Sequence, residues 1–328
     1  MKLLDCTLRD GAHINAGRFS SKDIALVNRA FGKANIDFVE LGFLQQTNDI
    51  LATSFYPSTR ELDEVVNKYG SQNCQYGFIL RPGQYEIDAL YPSKNLSFLR
   101  IAFYEEHMPH LERCIKKSQD LGYSVSLNPI GISTLSETFL KKIFEICNNF
   151  SVDVFSVVDT HGALRISTFF NLLNLLLREL NTEVKIGLHF HENLSLAQTL
   201  LQKALSIEGL NERLIVDASA AGMGRVPGNL PTELVIENFS DEFSNPKNLE
   251  PIYEIIPRLI EKYYDSCPWG YNYLYAKSAH LNISRSFPEY YIKKNVHPMK
   301  ILGMLRKISS SENGHRFDEV FAEKFLKP

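Results

Sequence analysis

His189-Phe190-His191 sets two imidazoles two residues apart. Side chains at i and i+2 of a strand share a face, so on extended chain both rings converge on one point while Phe190 turns away. Alone, such a pair reads equally well as a hydrogen-bonded structural couple or as two metal ligands. A second cluster, Thr7, Arg9, Asp10 and His13, puts four ionisable or polar groups into the segment TLRDGAH. Asp10 can supply a hard oxygen ligand. The plainer reading of Arg9 and Asp10 is a salt bridge or a helix-entry cap, which accounts for one residue well but not for four. A third cluster runs from Asp217 to Asn229. Its Gly222, Gly224 and Gly228 let the backbone turn tightly and approach a ligand. A phosphate cradle competes as the reading of this loop, and Asn229 serves either as a carbonyl ligand or as a turn residue. Asp10, His189, His191 and Asn229 together form a mixed nitrogen and oxygen set without thiolate. That set suits one divalent cation, Mn²⁺ first and Mg²⁺, Co²⁺ or Zn²⁺ after it, with positions left for substrate.

Such distant segments need a scaffold that brings them together. Apolar runs at 2–7, 36–43, 75–80, 96–103, 123–130, 152–159, 183–190 and 213–219 alternate with helix-like stretches at 22–34, 57–69, 84–90, 108–121, 136–149, 165–181, 194–206 and 231–240. Ser20 or Ser21, Ser136, and Thr232 with Glu233 are the expected helix starts. Strands apolar on both faces and separated by helices belong to a parallel sheet covered on both sides. Eight strand–helix units over residues 1–244 predict an α/β fold, a (β/α)₈ TIM barrel. An open doubly wound sheet is the alternative, but the first turn lacks the GxGxxG loop that fold usually carries. In a barrel the three clusters follow strands one, eight and seven, at the rim where active sites are built, and this location favours metal ligation for the histidine pair. Beyond the turn-rich stretch DEFSNPKNLEP, residues 245–328 read as a smaller helical extension whose Tyr and Phe residues pack.

Other residues fill in the pocket. Ser126, Asn128, Asp159 and Thr160 stand at the ends of strands five and six as candidate substrate contacts. Arg100, inside strand four, would be costly to bury unpaired, so it is expected on a substrate carboxylate or on an internal acid such as Glu40. His107 and His110 fit a surface turn, and His161 a loop.

The formal charge of −3, from 35 basic and 38 acidic residues without a basic run, gives no reason to expect nucleic acid or an anionic membrane as partner. Five widely spaced cysteines without a CxxC pair point to buried free thiols in a reducing compartment. The first residues do not read as a signal peptide, and no stretch reaches the roughly 20 apolar residues a membrane helix needs. A cytoplasmic protein is expected. Of 328 residues, 44% are hydrophobic and 22% charged, enough to build a substantial core.

TLRDGAH at 7–13, VELGF at 39–43, GLHFHEN at 187–193 and GMGRVPGNLPTE at 222–233 resemble, in order and across the barrel, the metal-dependent TIM-barrel lyases and aldolases. This HMG-CoA lyase-like superfamily includes 4-hydroxy-2-oxovalerate aldolase, hydroxymethylglutaryl-CoA lyase and the isopropylmalate, homocitrate and citramalate synthases. RDG followed by x-His is similar to the 4-hydroxy-2-oxo acid aldolase branch, whereas the acyl-CoA synthases more often show Glu-Gln there. The resemblance implies metal ligands at Asp10, His189 and His191, with Asn229 a fourth or supporting ligand. It implies an enolate-stabilising Arg9, an acid–base His13 and a carboxylate near the metal at Glu40. The implied reaction is reversible cleavage of a 4-hydroxy-2-oxo acid to pyruvate, or a similar 2-oxo acid, and an aldehyde. The glycine loop lacks the cysteine of the lyase branch, which argues against hydroxymethylglutaryl-CoA lyase. The tail CPWGYNYLYAKSAHLNISRSFPEYY only loosely resembles the aldolase branch's C-terminal domain, so a homo-oligomer is expected rather than a complex with a partner dehydrogenase. It is more similar to tails of aldolase-like proteins associated with cell-surface polysaccharide synthesis, and Tyr271 or Tyr273 is placed to reach the site. Two alternatives stand beside the aldolase: an acyl-CoA-dependent Claisen condensing enzyme, and a non-catalytic binding subunit. RDGAH weighs against the first, and the complete set Arg9, Asp10, His13, His189 and His191 against the second.

Overall fold

The computed structural model describes residues 1–45 and 54–326. Its eight barrel strands are β1 (Lys2–Asp5), β2 (Phe38–Leu44), β3 (Gln75–Leu80), β4 (Leu96–Phe103), β5 (Ser124–Pro129), β6 (Val154–Asp159), β7 (Lys185–Phe190) and β8 (Leu214–Ala218). All neighbouring pairs are parallel. Leu4 of β1 registers with Phe38 of β2 on one side and with Asp217 of β8 on the other, which closes the barrel. A two-residue strand, Phe55–Tyr56, pairs with β2 outside the ring. The strands are buried on both faces, as a barrel wrapped by helices requires; in LSFLRIAF of β4 only Ser97 and Ala102 keep partial exposure.

Helices Ser21–Lys33, Thr59–Tyr69, Met108–Asp120, Glu137–Asn149, Ile166–Glu179, Ala197–Leu205 and Thr232–Asn238 follow the strands. Ser20 caps the first by a reciprocal pair: its hydroxyl accepts from the Asp23 N–H at 3.2 Å, and Asp23 accepts from the Ser20 N–H at 2.9 Å. Ser136 accepts from the Phe139 N–H. The start expected at Thr232 lies one residue earlier. Pro231 is the cap, and the Thr232 hydroxyl donates to Asp5 at 2.6 Å, tying the last barrel helix to the end of β1. The helix expected at 84–90 is a 3₁₀ turn, Ile87–Ala89. Pro82 and Pro92 bracket that connection, and each removes a backbone donor and restricts the residue before it.

The extension has two parts. Glu250–Ile255 and the π-helical turn Ile256–Ile260 place Ile252, Ile255, Leu259 and Ile260 in the barrel's own core. A separate core of Leu274, Ile283, Phe287, Tyr291, Ile301, Leu305 and Ile308 is built by helices Tyr273–His280, Ser286–Lys293 and Pro298–Ser309. Burying such side chains contributes about 1.5–3 kcal/mol each, enough for a small lobe. The lobe docks over the C-terminal rim of the barrel. Helix Tyr273–His280 packs on the turn Glu192–Leu194 that follows the histidine pair, and Asn282 donates to the Ser133 carbonyl at 3.0 Å. All five cysteines are free. Among the described residues no helix is long and apolar enough to cross a membrane.

Candidate active site

The turn Thr7–Asp10 leaves β1 at the C-terminal rim. Thr7 acts as a latch there: its N–H donates to Asp5 at 2.8 Å, and its hydroxyl accepts from the Ala220 N–H at 2.8 Å. Asp10 is thereby set against the loop after β8. Its Oδ2 lies 3.5 Å from His189 Nε2 and accepts from Asn229 Nδ2 at 2.6 Å. Three segments separated by up to 219 residues thus meet at one carboxylate.

The glycine loop delivers Asn229. Gly222 and Gly228 adopt left-handed backbone, with φ of 65° and 102°. A Cβ at Gly228 would stand 2.4 Å from the Gly222 carbonyl. The N–H groups of Gly222 and Gly228 bond to Ser219 and Arg225 within the loop itself, so these amides are not offered to a phosphate. Asn229 forms an antiparallel bridge with His191. Its Oδ1 is buried with no hydrogen-bond partner among the described residues, as an oxygen reserved for a ligand would be.

Both imidazoles are oriented from behind. His191 Nδ1 lies 2.9 Å from the Asp159 carbonyl, an acceptor only, so Nδ1 carries the hydrogen and the Nε2 lone pair is free. His189 Nδ1 stands 3.0 Å from Asp217 Oδ2, within ion-pair distance but without hydrogen-bond geometry. The ring centroids are 4.9 Å apart. This support is what ligand histidines need. Burial first, and then His189, holds the His191 pKa well below its ordinary value, keeping the ring neutral.

Behind the rim lies a closed ring of buried charge. Arg9 donates to Asp10 and, through Nε at 2.6 Å, to Glu40. Arg100 donates to the same Glu40 oxygen at 3.1 Å and to Asp217 at 2.5 Å. Asp217 faces His189, and His189 faces Asp10. Burial opposes ionisation of Asp10, but Arg9 and then His189 outweigh it and hold the carboxyl well below the usual carboxylate range. Arg100 and His189 likewise outweigh the burial of Asp217.

The sequence did not single out Cys6. Its Sγ, an Asp10 oxygen and a His189 nitrogen all lie within 4.8 Å of one another, a group able to hold a metal ion. The signal was available: Cys6 precedes Asp10 by four residues, one helical turn. Burial and then Asp10 push its pKa well above normal, so it is a neutral thiol facing the Ala218 carbonyl at 3.2 Å.

The other expected residues are dispersed. His13 is at the mouth, 3.9 Å from Asp10, with its side chain 35% exposed. Desolvation lowers its pKa and Arg225 and Arg9 push the same way while Asp10 opposes; residual contact with water softens the shift, and the ring is neutral near pH 7. Glu40 is fully buried and holds two arginines, so it supports Arg9 instead of meeting substrate. Arg100, expected on a substrate carboxylate or on an internal acid, has the internal acids. Asn128, with its amide oxygen turned to Arg100 Nε at 3.2 Å and Nη2 at 2.9 Å, and its nitrogen to Ser126, completes that guanidinium's shell. Ser126 borders a cavity of about 330 Å³ among the strand starts Lys2, Ser124, Asp153 and Lys185, the end opposite the rim. Arg100 thus has the internal acid named as one of its two expected partners, while Asn128 and Ser126, expected as substrate contacts, bond inside the barrel. The Thr160 hydroxyl accepts from the Gly131 N–H at 2.8 Å and pins the turn after β5. Tyr271 is 71% exposed; the inward place belongs to Trp269, whose Nε1 donates to the Ala221 carbonyl at 2.8 Å. His107 accepts from the Tyr104 N–H in its turn.

The lobe adds a residue that sequence reasoning missed. Arg285 is 3% exposed and donates through Nη1 to the Arg225 carbonyl at 3.0 Å. It is close enough to Asp10, His13, His161 and His191 to act on each electrostatically. His161 Nδ1 is buried beside it without a partner among the described residues.

A parallel eight-stranded barrel with a carboxylate–imidazole cluster on its C-terminal rim defines the class: a (β/α)₈ protein built to act at that rim. Residues 101–255 match the HMGL-like family model. The 4-hydroxy-2-oxovalerate aldolase of Geobacillus genomosp. 3 is 24% identical over 241 residues, covering 72% of this chain and 69% of the relative. The homocitrate synthase of Pyrococcus horikoshii is 21% identical over 257 residues, covering 77% and 69%. The fold is shared with the N-terminal domain of a candidate aldolase from Bacteroides vulgatus, with a TM-score of 0.73 and 24% identity over 89% of this chain and 96% of that one. Over residues 101–255 the chain is thus similar to the HMGL-like family, and its TIM-barrel fold is the one that solved structure shares.

Proposed function

We propose that the protein is a divalent-metal-dependent 2-oxo acid aldolase, reversibly joining pyruvate or a similar 2-oxo acid to an aldehyde. One observation carries the reading. Asp10 and His189 stand 3.5 Å apart at the rim, His191 lies beside His189 with its Nδ1 held by the Asp159 carbonyl, and a buried Asn229 oxygen is left unpartnered next to Asp10. Asp10, His189, His191 and Asn229 would hold the cation, Mn²⁺ in first place, and when bound it supplies Lewis-acid polarisation of the 2-oxo group.

The remaining chemistry falls to the side chains. Arg9, locked between Asp10 and Glu40, presents a fixed positive charge where an enolate oxygen develops; such preorganised charge lowers a barrier most. His13, neutral and at the open side, takes the 4-hydroxyl proton in the cleavage direction. The C3–C4 electron pair passes to the enolate, the aldehyde departs, and a proton returns to C3. Joining the two halves reverses each transfer. The Pyrococcus relative motivates a second reading, Claisen condensation with an acyl-CoA.

The test is solvent exchange. Protein, pyruvate and each of Mn²⁺, Mg²⁺, Co²⁺ and Zn²⁺ are incubated in deuterated water, and deuterium in the methyl group is read by mass spectrometry. Metal-dependent exchange abolished by chelator is expected; no exchange with any of the four ends the proposal. Aldehyde and acetyl-CoA panels then separate the two readings.

A further inference from the structure

We infer that Arg285, with Arg225 beside it, forms a receptor for an anionic group, phosphate or carboxylate, carried by the aldehyde half of the substrate at the end remote from its carbonyl. The ligand's identity rests on the aldolase reading; the anion receptor stands on the geometry of the lobe.

The argument begins with charge. Arg225 has its acid, since Nη2 donates to Glu289 at 2.7 Å and to Ser286 at 3.1 Å. Glu289 is shared with Lys293 at 2.8 Å, and it acts on Arg285, as Asp10 does, only through space, without an ion pair. Among the described residues Arg285 pairs with no carboxylate. Nη1 donates to a backbone carbonyl, and Nε is buried without a partner. The Nε–Nη2 edge, the fork that grips carboxylate or phosphate through two parallel N–H donors, is unused. A buried, unbalanced guanidinium carries a desolvation penalty of several kcal/mol. Burial and then Arg225 accordingly pull its pKa down to about 9, the response of a cation that lacks its counter-ion. His161 and Tyr275 lie beside it, and burial favours the neutral form of both, with pKa values of about 4 and about 12. Neither supplies an anion.

Position names the part of the substrate. The 2-oxo acid's carboxylate is already provided for by the cation ligands and Arg9 on the barrel side. His13 feels both sides: its Nε2 stands 3.9 Å from Asp10, and Arg285 of the lobe acts on it electrostatically. If His13 exchanges a proton with the oxygen derived from the aldehyde, whatever lies beyond His13 meets the aldehyde's tail. An anion there would complete the pairing that the chain itself leaves open.

Two measurements test this. Isothermal titration at constant ionic strength, with inorganic phosphate in one arm and succinate in the other, needs no aldolase activity. Saturable binding of at least one anion is expected, weakened about tenfold or more by Arg285→Met, with Arg285→Lys between. The stronger arm identifies phosphate or carboxylate as the source. Absence of saturable binding in both arms, or equal affinity in Arg285→Met, overturns the receptor. Should Arg285→Met fail to fold, the wild-type enzyme decides. With pyruvate and Mn²⁺, kcat/KM for glyceraldehyde 3-phosphate against glyceraldehyde, or for succinic semialdehyde against butanal, should favour an anionic member by about tenfold or more. Indifference in both pairs overturns it. Anion binding without pyruvate exchange would sink the aldolase reading and leave the receptor standing.

Discussion

Arg100 and Arg285 are almost equally buried, at 2% and 3% exposure, and live in opposite surroundings. Arg100 lies in the barrel between Glu40 and Asp217, its remaining donors turned to Asn128, and its pKa is raised because those two carboxylates outweigh burial. Arg285 sits where lobe meets barrel with one backbone carbonyl, and its pKa falls. The interior arginine belongs to a circuit that orients Asp10 and His189. The junction arginine belongs to nothing yet present. A burial penalty met inside the fold marks scaffold, and one left unmet marks a place where a ligand is awaited.

The comparison can be broken from either end. The largest effect is expected at the rim that the circuit supports. His189→Ala should lower bound metal, read by atomic absorption, from about one per chain toward zero, with turnover falling roughly 10³-fold or more as Lewis-acid stabilisation is lost. Arg100→Met should lower unfolding stability in urea by about 3–5 kcal/mol, since Glu40 and Asp217 are left buried and unbalanced. A change under 1 kcal/mol would show that the circuit is not scaffold. His13→Ala should cost about 10²–10⁴-fold in turnover with metal retained; full activity would remove it from the mechanism. Arg285→Met should reverse the sign seen at Arg100, raising the midpoint of the anion-free protein by the equivalent of about 1 kcal/mol, because desolvation relief exceeds one lost hydrogen bond.

The smallest effect sharpens the role of pH. Asp5 and Asp159 are buried acids with pKa values raised to about 7. An acid bound more tightly to its proton in the folded state stabilises fully below its unfolded pKa near 4, and that stability is lost as pH rises through 7. Glu289, lowered to about 2, works in the other direction and matters only in acid. Urea stability should therefore decline from about pH 5 to pH 7.5, and Asp5→Asn should flatten the decline while keeping its Thr7 and Thr232 contacts.

Much of this was legible in the chain. The eight strands announced themselves because a barrel strand is apolar on both faces and a helix must follow it. Asp10, His189, His191 and Asn229 were legible because each lies at or beyond the end of a strand, in the segments a barrel gathers at one rim. The third connection misled, since its apolar spacing suggested a helix while two prolines decided for a turn. Arg100 met the internal acid that its burial demanded, whereas Asn128 and Ser126 turned inward because strand position fixes a residue's face but not the depth at which its partners wait. Tyr271 and Trp269 differ by two positions, and only the bond to Ala221 reveals which turns inward. Arg285 was out of reach, for nothing local says that a tail residue ends above a rim formed two hundred residues earlier in parts.

Trp269 is the chain's single tryptophan. It is bonded to Ala221 and packed against Gly228, the residue before Asn229. An indole so placed is a built-in optical reporter: any occupant that tightens or shifts the Asn229 loop changes its surroundings, so its emission alone, without label or substrate turnover, should announce arrival at the mouth.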